Sequence, residues 1–370
     1  MKILHVINSL EIGGAEKLIV DLVPRLSSLE NKVDVLLLNG IDTPLKQILY
    51  SEEIHIISLG IGINIYNPLL SIKLIKFITK YDIVHVHIFP SQYWVVIAKV
   101  ISLSKVKLIT TEHSTYNRRR SFFPFKYFDR FIYNQYSKII CISDRVKNNL
   151  SAHLNNFTAK IITIPNGVNT MSYVNAKRLS RHELLGISIT GPLLVQVASF
   201  GEAKDQDTVI RAISILPKKY QLVLVGEGIR KGICENLAIE LGVADRVHFL
   251  GIRNDVPEIL QISDLVVMSS HWEGFGLAAL EGMASSKPTI ASNVAGLSEV
   301  VEGAGVLFEP GDYNQLSHII QQLMSETEFY KDVSYKCKER AMQYDIITMA
   351  LHYEKIYLSV NDEVSKCLHS

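Results

Sequence analysis

Residues 264–293 read DLVVMSSHWEGFGLAALEGMASSKPTIASN. The apolar run at 264–270 predicts a buried strand, residues 273–285 have helical periodicity, and residues 288–293 predict a second strand. A strand, a helix and a further strand in this order are typical of a parallel sheet covered by helices. The segment therefore predicts one βαβ unit.

The same alternation runs through the rest of the chain. Ten or more strands in one sheet would be unusual, so we expect an α/β protein with two doubly wound, Rossmann-like domains. Turn residues cluster at 162–177, where the strand pattern starts again. The predicted domains are residues 1–170 and 171–345, followed by a helical segment at 346–370. Further strands are predicted at 2–7, 32–38, 54–59, 82–87, 107–113, 138–143, 193–199, 221–226 and 247–251, and helices at 15–26, 68–80, 204–216 and 232–241.

Composition narrows the class of protein. The chain has 370 residues, 48% of them hydrophobic and 20% charged, which is typical of a folded globular protein. A net charge of +1 gives no overall attraction to nucleic acid. The four cysteines have no C-x-x-C spacing, and no apolar run approaches the roughly 18–20 residues that cross a bilayer. We expect a cytoplasmic protein without a disulfide framework.

Ligands of such sheets bind beyond the carboxyl ends of the strands, and with two domains we expect the site in an interdomain cleft. Gly13 and Gly14 follow the first predicted strand and open a helix, so they form either an anion-binding turn or a plain tight turn. Gly226 and Gly228 also lie between a strand and a helix, where glycine favours either a phosphate or close packing. Lys204 precedes a helix and could pair with a phosphate or face water. The dinucleotide fingerprint G-x-G-x-x-G is absent at Gly13, which argues against an NAD oxidoreductase.

Three histidines follow or end predicted strands. His85 and His87 point to one side of their strand, as a metal pair or as a polar lining. No third ligand is evident from the spacing, so we expect no metal site. His113 comes directly after the next strand and is either a cleft residue or a hydrogen-bonded loop histidine.

Taken together, these segments resemble a retaining glycosyltransferase of the GT-B fold, in the family called group 1 or family 4. The similarity covers nearly the whole chain and is strongest at 269–312, with E-x7-E at Glu273 and Glu281, then A-S-x-x-x-G-x-x-E and P-G-D. The segments KIICISDRVKNNL, IITIPNGVN and LVLVGEGIR also match recurrent family blocks. The ordered set of blocks is specific to the family.

The resemblance implies a site for a nucleotide-sugar donor, UDP- or GDP-linked, with no further cofactor. Glu273 would take hydroxyls of the donor sugar, and Glu281 would take both ribose hydroxyls. Eight residues of helix rise about 12 Å, on the order of a sugar-diphosphate-ribose. Backbone N–H groups at the glycine-flanked start of the helix would face the diphosphate. Those groups belong to Phe275, Gly276 and Leu277.

The resemblance also assigns His113 and Glu273 to the catalytic centre, near the reacting end of the donor. Lys204 falls at the family's diphosphate-binding lysine, and Gly13-Gly14 at the loop beneath the diphosphate. The chain departs from the family at Ser199, where an arginine is usual. Lys204 alone or another cation such as Arg253 would then neutralise the leaving group, or activity would be weak. We expect metal-independent transfer with retention of configuration.

Residues 117–136 interleave basic and aromatic side chains. They predict either a surface for an anionic membrane or lipid-linked acceptor, or an amphipathic helix packed on the first domain. In the first case the protein would be peripheral on the inner face of the cytoplasmic membrane. The residues chosen for this surface are Arg118, Arg119, Arg120, Phe122, Phe123 and Lys126.

The function we expect is transfer of a hexosyl or N-acetylhexosaminyl group to a glycan or lipid-linked glycan. Bacterial capsule, lipopolysaccharide or exopolysaccharide synthesis is the setting that the family suggests. A nucleotide-sugar 2-epimerase on the same fold, or a non-catalytic module that binds a nucleotide-sugar, stays as an alternative. No nucleic-acid partner is expected.

Overall fold

The computed structural model describes residues 1–11, 13–114, 123–154, 160–186 and 190–367, with the side chains of 123–126 and 363–367 left aside. The chain divides into two compact units. Unit 1 comprises Met1–Gly167 and Ile346–Ser370, and unit 2 comprises Val168–Asp345. The division after residue 167 lies within the turn-rich segment at which the sequence predicts it, and the last helix belongs to unit 1.

Unit 1 is built on a sheet of seven parallel strands. Their order is β3-β2-β1-β4-β5-β6-β7, so the direction of strand addition reverses between β1 and β4. The strands are β1 (Lys2–Ile7), β2 (Lys32–Leu37), β3 (His55–Ser58), β4 (Ile83–His87), β5 (Lys107–Glu112), β6 (Lys138–Cys141) and β7 (Ile161–Thr163). The helices are α1 (Gly14–Ser27), α2 (Pro44–Ser51), α3 (Leu70–Ile78), α4 (Ser91–Ile101), α5 (Phe123–Asn134), α6 (Asp144–His153) and α16 (Ile346–Cys367).

Unit 2 is built on a sheet of six parallel strands. Their order is β10-β9-β8-β11-β12-β13, and the reversal falls between β8 and β11. The strands are β8 (Leu193–Val197), β9 (Gln221–Val225), β10 (Val247–Phe249), β11 (Leu265–Met268), β12 (Thr289–Ser292) and β13 (Val306–Phe308). The helices are α7 (Thr170–Val174), α8 (Arg181–Leu185), α9 (Gln206–Ile215), α10 (Lys231–Glu240), α11 (Val256–Ile262), α12 (Leu277–Ala284), α13 (Ser298–Val301), α14 (Tyr313–Ser325) and α15 (Thr327–Gln343).

The predicted fold class is confirmed, because each unit is a doubly wound parallel sheet of the Rossmann type. Strands β7 and β13 were not predicted, since each has only three residues and a proline follows shortly after it, at Pro165 and Pro310. Helix α12 begins at Leu277 and not at Glu273, because the glycine-flanked loop must first turn from the strand into the helix.

Helix α16 contributes to the core of unit 1. Its side chains Tyr353, Tyr357 and Val360 are fully buried in the same apolar cluster as Leu18, Leu22 and other residues of α1. The inner strands of both sheets are buried on both faces, which is why they read as near-continuous apolar runs, whereas the edge strand β3 is not buried. No helix within the described part of the chain is both long and apolar enough to span a bilayer.

Candidate functional site

The loops after β8 and β11 meet at the point where the strand order of unit 2 reverses. Lys204 forms an isolated antiparallel bridge with Ser270. The N–H of His271 donates to the carbonyl of Ala203 at 2.9 Å, and the N–H of Asp205 donates to the carbonyl of Ser269 at 3.3 Å. Ligands of doubly wound sheets bind at this kind of position. The two loops therefore form one platform at the expected edge of the sheet.

Two predicted site residues meet on this platform. The ammonium group of Lys204 forms an ion pair with the carboxylate of Glu273, and their side chains are 16% and 20% exposed. The hydroxyl of Ser270 donates to Oε2 of Glu273 at 3.4 Å. The structure thus brings a cation from the first loop and an acid from the second into direct contact, with part of each open to a ligand.

The backbone between Glu273 and α12 depends on two glycines in the left-handed region. Gly276 has φ 87° and Gly296 has φ 92°. A Cβ at Gly296 would lie 2.5 Å from the carbonyl oxygen of Glu273, and a Cβ at Gly276 would lie 2.7 Å from Cδ2 of Leu297. Each glycine therefore permits both the conformation and the close approach of the two loops.

The N-cap residue of helix α12 is Gly276, which has no side chain. No N-cap side chain therefore accepts a hydrogen bond from the first N–H groups of the helix. The side chain of Phe275 is buried and packs edge-on against Tyr344 at 5.7 Å between ring centroids. This contact anchors the first turn, while Leu277 is half-buried. Binding of a diphosphate by the N–H groups at the start of α12 stays a prediction.

Glu281 lies in the second turn of α12 and is only 6% exposed. Because the helix starts at Leu277, only four of the eight steps from Glu273 to Glu281 are helical, a rise of about 6 Å. The rise of about 12 Å expected for a helix over the whole segment is therefore wrong. The spacing between the two carboxylates is set by the loop as well as by the helix.

Gly226 and Gly228 support the loop that carries Lys204. A Cβ at Gly226 would lie 2.1 Å from the carbonyl oxygen of Ala198, and one at Gly228 would lie 2.5 Å from that of Phe200. Their positive φ angles, 141° and 156°, belong to the same close approach. The structure gives a direct reason for close backbone packing, one of the two interpretations that the sequence allows for these glycines. Binding of the donor by Gly226 and Gly228 stays a prediction.

The structure also shows where the nearby charges are engaged. Arg253 donates to Asp255 through Nε at 2.7 Å and also contacts the carbonyl of Leu184, so it is held beside α11. Ser199, at the family's arginine position, is exposed. Lys204 is thus the cation in contact with Glu273 on the platform, and the exposed position 199 has room for a longer side chain.

The chain also contains an acidic D-x-D triplet at 205–207. Asp205 caps α9 by accepting from the N–H and hydroxyl of Thr208 at 3.3 and 2.6 Å. Asp207 accepts from Arg230 at 2.8 and 3.0 Å. Both carboxylates are used to hold the loop and helix in place.

In unit 1, Gly13 is the N-cap of α1, has extended backbone and provides no side-chain cap, while Gly14 is the first residue of the helix. The carboxylate of Glu16 lies against this turn, since a Cβ at Gly13 would be 2.2 Å from Oε2 of Glu16. Burial raises the pKa of Glu16. An anion at this turn would meet an acid already in place, a feature that the sequence reading missed.

His113 follows β5 and is half-buried at the end of a chain of imidazoles. Its Nε2 lies 3.2 Å from Nδ1 of His87, and Nε2 of His87 lies 3.0 Å from Nδ1 of His5. Burial lowers the pKa of His113 to about 4 and that of His5 to about 3. Burial also lowers the pKa of His85 and His87 well below the ordinary value.

The histidine cluster contains a third imidazole that the spacing along the chain did not reveal. His5 on β1 lies beside His85 in register, and the ligand nitrogens of His5, His85 and His87 all lie within 4.8 Å of one another. Such a set could hold a metal such as zinc. Each of their ring nitrogens, however, has a hydrogen-bond partner within the cluster or on Thr111 and Tyr357. A metal would have to displace those bonds.

Most of the predicted basic and aromatic surface lies outside the described residues, namely Arg118, Arg119, Arg120 and Phe122. Phe123 and Lys126 lie in α5, where only the backbone is described. Further along α5, Tyr127, Phe128 and Phe131 are 67%, 44% and 48% exposed. The membrane or acceptor surface stays a prediction. Within the same helix Asp129 is buried and accepts from His153 at 2.8 Å.

Comparisons with known proteins agree with this architecture. Residues 12–171 match the family model described as Glycosyltransferase Family 4, and residues 181–340 match Glycosyl transferases group 1. The crystal structure of Anabaena Alr3699/HepE in complex with UDP-glucose aligns with a TM-score of 0.84 and 22% identity, over 97% of this chain and all of that one. This likeness shows the fold.

Two curated relatives cover most of the chain. N-acetyl-alpha-D-glucosaminyl L-malate synthase of Bacillus anthracis is 28% identical over 286 residues, 75% of either chain. UDP-Gal:alpha-D-GlcNAc-diphosphoundecaprenol alpha-1,3-galactosyltransferase of Escherichia coli is 24% identical over 297 residues, 76% of either chain. With family models matched on both units, the chain belongs to the glycosyltransferases of group 1, family 4, and has their GT-B fold of two Rossmann-like domains.

Proposed function

We propose that this glycosyltransferase binds a nucleotide-sugar at the β8 and β11 loops of unit 2 and transfers the sugar with retention of configuration. The observation that carries the proposal is the contact between Lys204 and Glu273 where the strand order reverses. A cation and an acid side by side suit a ligand that has an anionic diphosphate next to a hydroxylated ring. The glycine-shaped start of α12 adds N–H groups at the same loop.

On donor binding, Lys204 exchanges the carboxylate of Glu273 for a diphosphate oxygen. Glu273 then accepts hydrogen bonds from hydroxyls of the sugar. The N–H groups of Phe275, Gly276 and Leu277 face the diphosphate, where the positive end of the helix dipole stabilises negative charge. Glu281 takes the two ribose hydroxyls, since a carboxylate matches a vicinal diol in a bidentate manner.

The chemistry follows from the charge on the leaving group. As the bond between C1 and oxygen weakens, negative charge develops on the nucleoside diphosphate. Fixed N–H groups and the ammonium of Lys204 stabilise that charge in place, without a metal. His113 acts at the reacting end of the donor, as the family resemblance implies.

UDP is the nucleotide that the comparisons favour. The structural neighbour from Anabaena is described in complex with UDP-glucose, and the Escherichia coli relative is named for transfer from UDP-Gal to a diphosphoundecaprenol-linked sugar. We infer a hexosyl or N-acetylhexosaminyl transfer to a glycan or lipid-linked glycan in bacterial surface-polysaccharide synthesis. The reaction would take place in the cytoplasm, at the inner face of the membrane.

A thermal-shift screen against UDP-, GDP-, ADP- and dTDP-sugars tests the donor site. One nucleotide series should raise the unfolding midpoint, because a ligand of the folded state stabilises it by mass action. Lys204→Ala should weaken binding by about 2 kcal/mol, the cost of removing a charged hydrogen-bond donor. The exposed Lys218 provides the matched control, Lys218→Ala. Stabilisation of both variants to the wild-type extent would contradict the assignment.

The ribose assignment is tested by removing the hydroxyls from the ligand. Wild-type protein should bind the nucleoside diphosphate more tightly than its 2′,3′-dideoxy analogue, and Glu281→Ala should bind the two equally. Glu240→Ala, an exposed acid on α10, should retain the wild-type preference. A preference that survives in Glu281→Ala would place the ribose elsewhere.

The acceptor side is a second part of the proposal. The exposed aromatic side chains Tyr127, Phe128 and Phe131 on α5, with the preceding basic residues, suit an anionic membrane surface. Wild-type protein should sediment together with vesicles that contain anionic lipid at low salt, and should stay in the supernatant at high salt. Phe128→Ser with Phe131→Ser should release the protein. Equal binding of that variant would assign the exposed aromatic residues to another role.

A further inference from the structure

The buried polar cluster of unit 1 connects the C-terminal helix to His113. Nε2 of His5 lies 3.4 Å from the hydroxyl of Tyr357 on α16. Nδ1 of His5 lies 3.0 Å from His87, and His87 lies 3.2 Å from His113. Four groups, from three elements and the loop after β5, therefore form one continuous hydrogen-bonded chain that ends at a predicted catalytic residue.

A second branch leaves the same tyrosine. The hydroxyl of Tyr357 lies 2.6 Å from Nδ1 of His85, and Nε2 of His85 lies 2.8 Å from Oγ1 of Thr111. The hydroxyl of Tyr353 lies 3.2 Å from that same oxygen of Thr111. The hydroxyl of Tyr357 is thus the junction between the two branches.

The direction of donation along the chain is the same at every link. Burial lowers the pKa of all four imidazoles, so each ring carries one N–H and one lone pair at neutral pH. A ring that donates to one neighbour must accept from the other. The chain therefore has only two arrangements, with all protons directed toward Tyr357 or all directed toward His113.

The two contacts of Tyr357 favour one arrangement. An O–H donor makes shorter hydrogen bonds than an N–H donor, and the contact of 2.6 Å with His85 suits the phenolic proton. The contact of 3.4 Å with His5 is then an N–H donated to the phenolic oxygen. With its proton on Nε2, His5 accepts from His87, and His87 in turn accepts from His113.

We propose that Tyr357, acting through His5 and His87 as positioning residues, keeps the proton of His113 on Nε2, so that Nδ1 of His113 accepts a hydrogen bond from a hydroxyl of the donor sugar. The described residues offer no hydrogen-bond partner to this Nδ1. The assignment rests on the proposed function for the identity of the ligand. It excludes donation from this nitrogen to an oxygen of the diphosphate.

The tautomer can be observed without any substrate. In the full chain labelled with ¹⁵N-histidine, protonated and unprotonated ring nitrogens give well-separated signals, and the spectrum of His113→Gln identifies those of residue 113. We expect His113 to be protonated on Nε2 at neutral pH. Protonation on Nδ1 in the wild type would overturn the proposal whatever the protein's donor.

Tyr357→Phe and Tyr353→Phe form a matched pair on the same buried helix. Tyr357→Phe removes the acceptor for His5, so the protons reverse and the signals of His113 move toward the other tautomer. Tyr353→Phe removes a hydroxyl of the same size from the other branch and should leave His113 unchanged. Unchanged signals in Tyr357→Phe, or equal shifts in both variants, would refute the role of Tyr357. If zinc shifted the signals of His5, His85 and His87 together, the cluster would be a metal site and the proposal would fail.

Binding provides a readout that a purely structural role would not move. Tyr357→Phe should weaken the nucleotide-sugar about fivefold, the value of one hydrogen bond, and leave the nucleoside diphosphate unchanged. Equal weakening of both ligands would show general loss of structure and count against the proposal. Failure of every nucleotide to bind would instead refute the proposed function, while the tautomer would still be decided by the spectrum.

Discussion

Lys204 and Glu273, 69 positions apart in the chain, are joined by an ion pair across the two loops of the unit 2 switch point. The pair is built on backbone contacts, since Lys204 also bridges Ser270. In the protein without ligand, each charge is therefore neutralised by the other. A bound donor would have to separate them and supply new partners for both.

Glu273→Gln should separate the two roles of the pair. It releases Lys204 from an ion pair worth about 1 kcal/mol at a partly exposed position, so the nucleoside diphosphate alone should bind up to about fivefold more tightly. The variant should also reduce the advantage of the nucleotide-sugar over the nucleoside diphosphate, because an amide oxygen accepts a weaker hydrogen bond from a sugar hydroxyl than a carboxylate does. Isothermal titration of both ligands measures this. Glu240→Gln is the control, and weaker diphosphate binding in Glu273→Gln would show that the ion pair does not compete with the ligand.

Ser199→Arg restores the residue that the family usually has. Because position 199 is exposed, the longer side chain can enter solvent without displacing the loop. We expect the added guanidinium to raise affinity for the nucleoside diphosphate by about 1–2 kcal/mol and to increase the transfer rate. Ser199→Gln tests for an effect of size alone. A diphosphate affinity that Ser199→Arg leaves unchanged would contradict this expectation and would mean that Lys204 already serves the whole leaving group.

Gly296→Ala should disturb the donor loop and destabilise unit 2. The new Cβ would lie 2.5 Å from the carbonyl oxygen of Glu273, at a φ of 92° that alanine disfavours. We expect a loss of about 1–3 kcal/mol in the free energy of unfolding, measured by urea denaturation, with weaker donor binding. Gly232→Ala, in α10 with no neighbour within 4 Å of its Cβ, should be neutral or stabilising. Equal effects of the two substitutions would contradict the close approach.

The buried histidines predict acid sensitivity. The pKa of His113 falls from 6.5 in the unfolded chain to about 4 in the folded protein. Below pH 6.5 the unfolded state therefore binds the proton first, so the stability from this group is complete above that pH and is lost as the pH falls toward 4. Each such histidine adds roughly 1.4 kcal/mol per pH unit to the slope within this window.

Urea unfolding from pH 7 to pH 4.5 measures that slope. His113→Gln should reduce it by about one proton, because one of the linked imidazoles is gone. The exposed His318 on α14 gives the control His318→Gln, which should leave the slope as in the wild type. If His113→Gln left the slope of unfolding free energy against pH as unchanged as His318→Gln does, His113 would be protonated as readily in the folded protein as in the unfolded chain.

Much of the fold follows from local sequence. Eleven of the thirteen described strands are apolar runs whose ends the structure places within one or two residues of the predicted ends, and amphipathic helices lie between them. Their order suffices for two parallel sheets, because strand and helix alternate. The segment at 269–312 also contains both glutamates and their glycines in one short stretch. That is why family membership could be recognised from the chain.

Contacts between residues that are distant in the chain could not be predicted from local sequence. His5 comes within hydrogen-bonding distance of His87 only through the strand order β1-β4-β5, and Tyr357 reaches them because α16 returns to the core of unit 1. No periodicity along the chain records which strand lies beside which, or which helix covers a given row of side chains. The sequence by itself determined the residue types, their order and the local turns. Tertiary packing decided the Lys204–Glu273 pair and the imidazole chain. Hydrogen bonds and ion pairs depend on distances in space, and those distances do not follow from separation along the sequence.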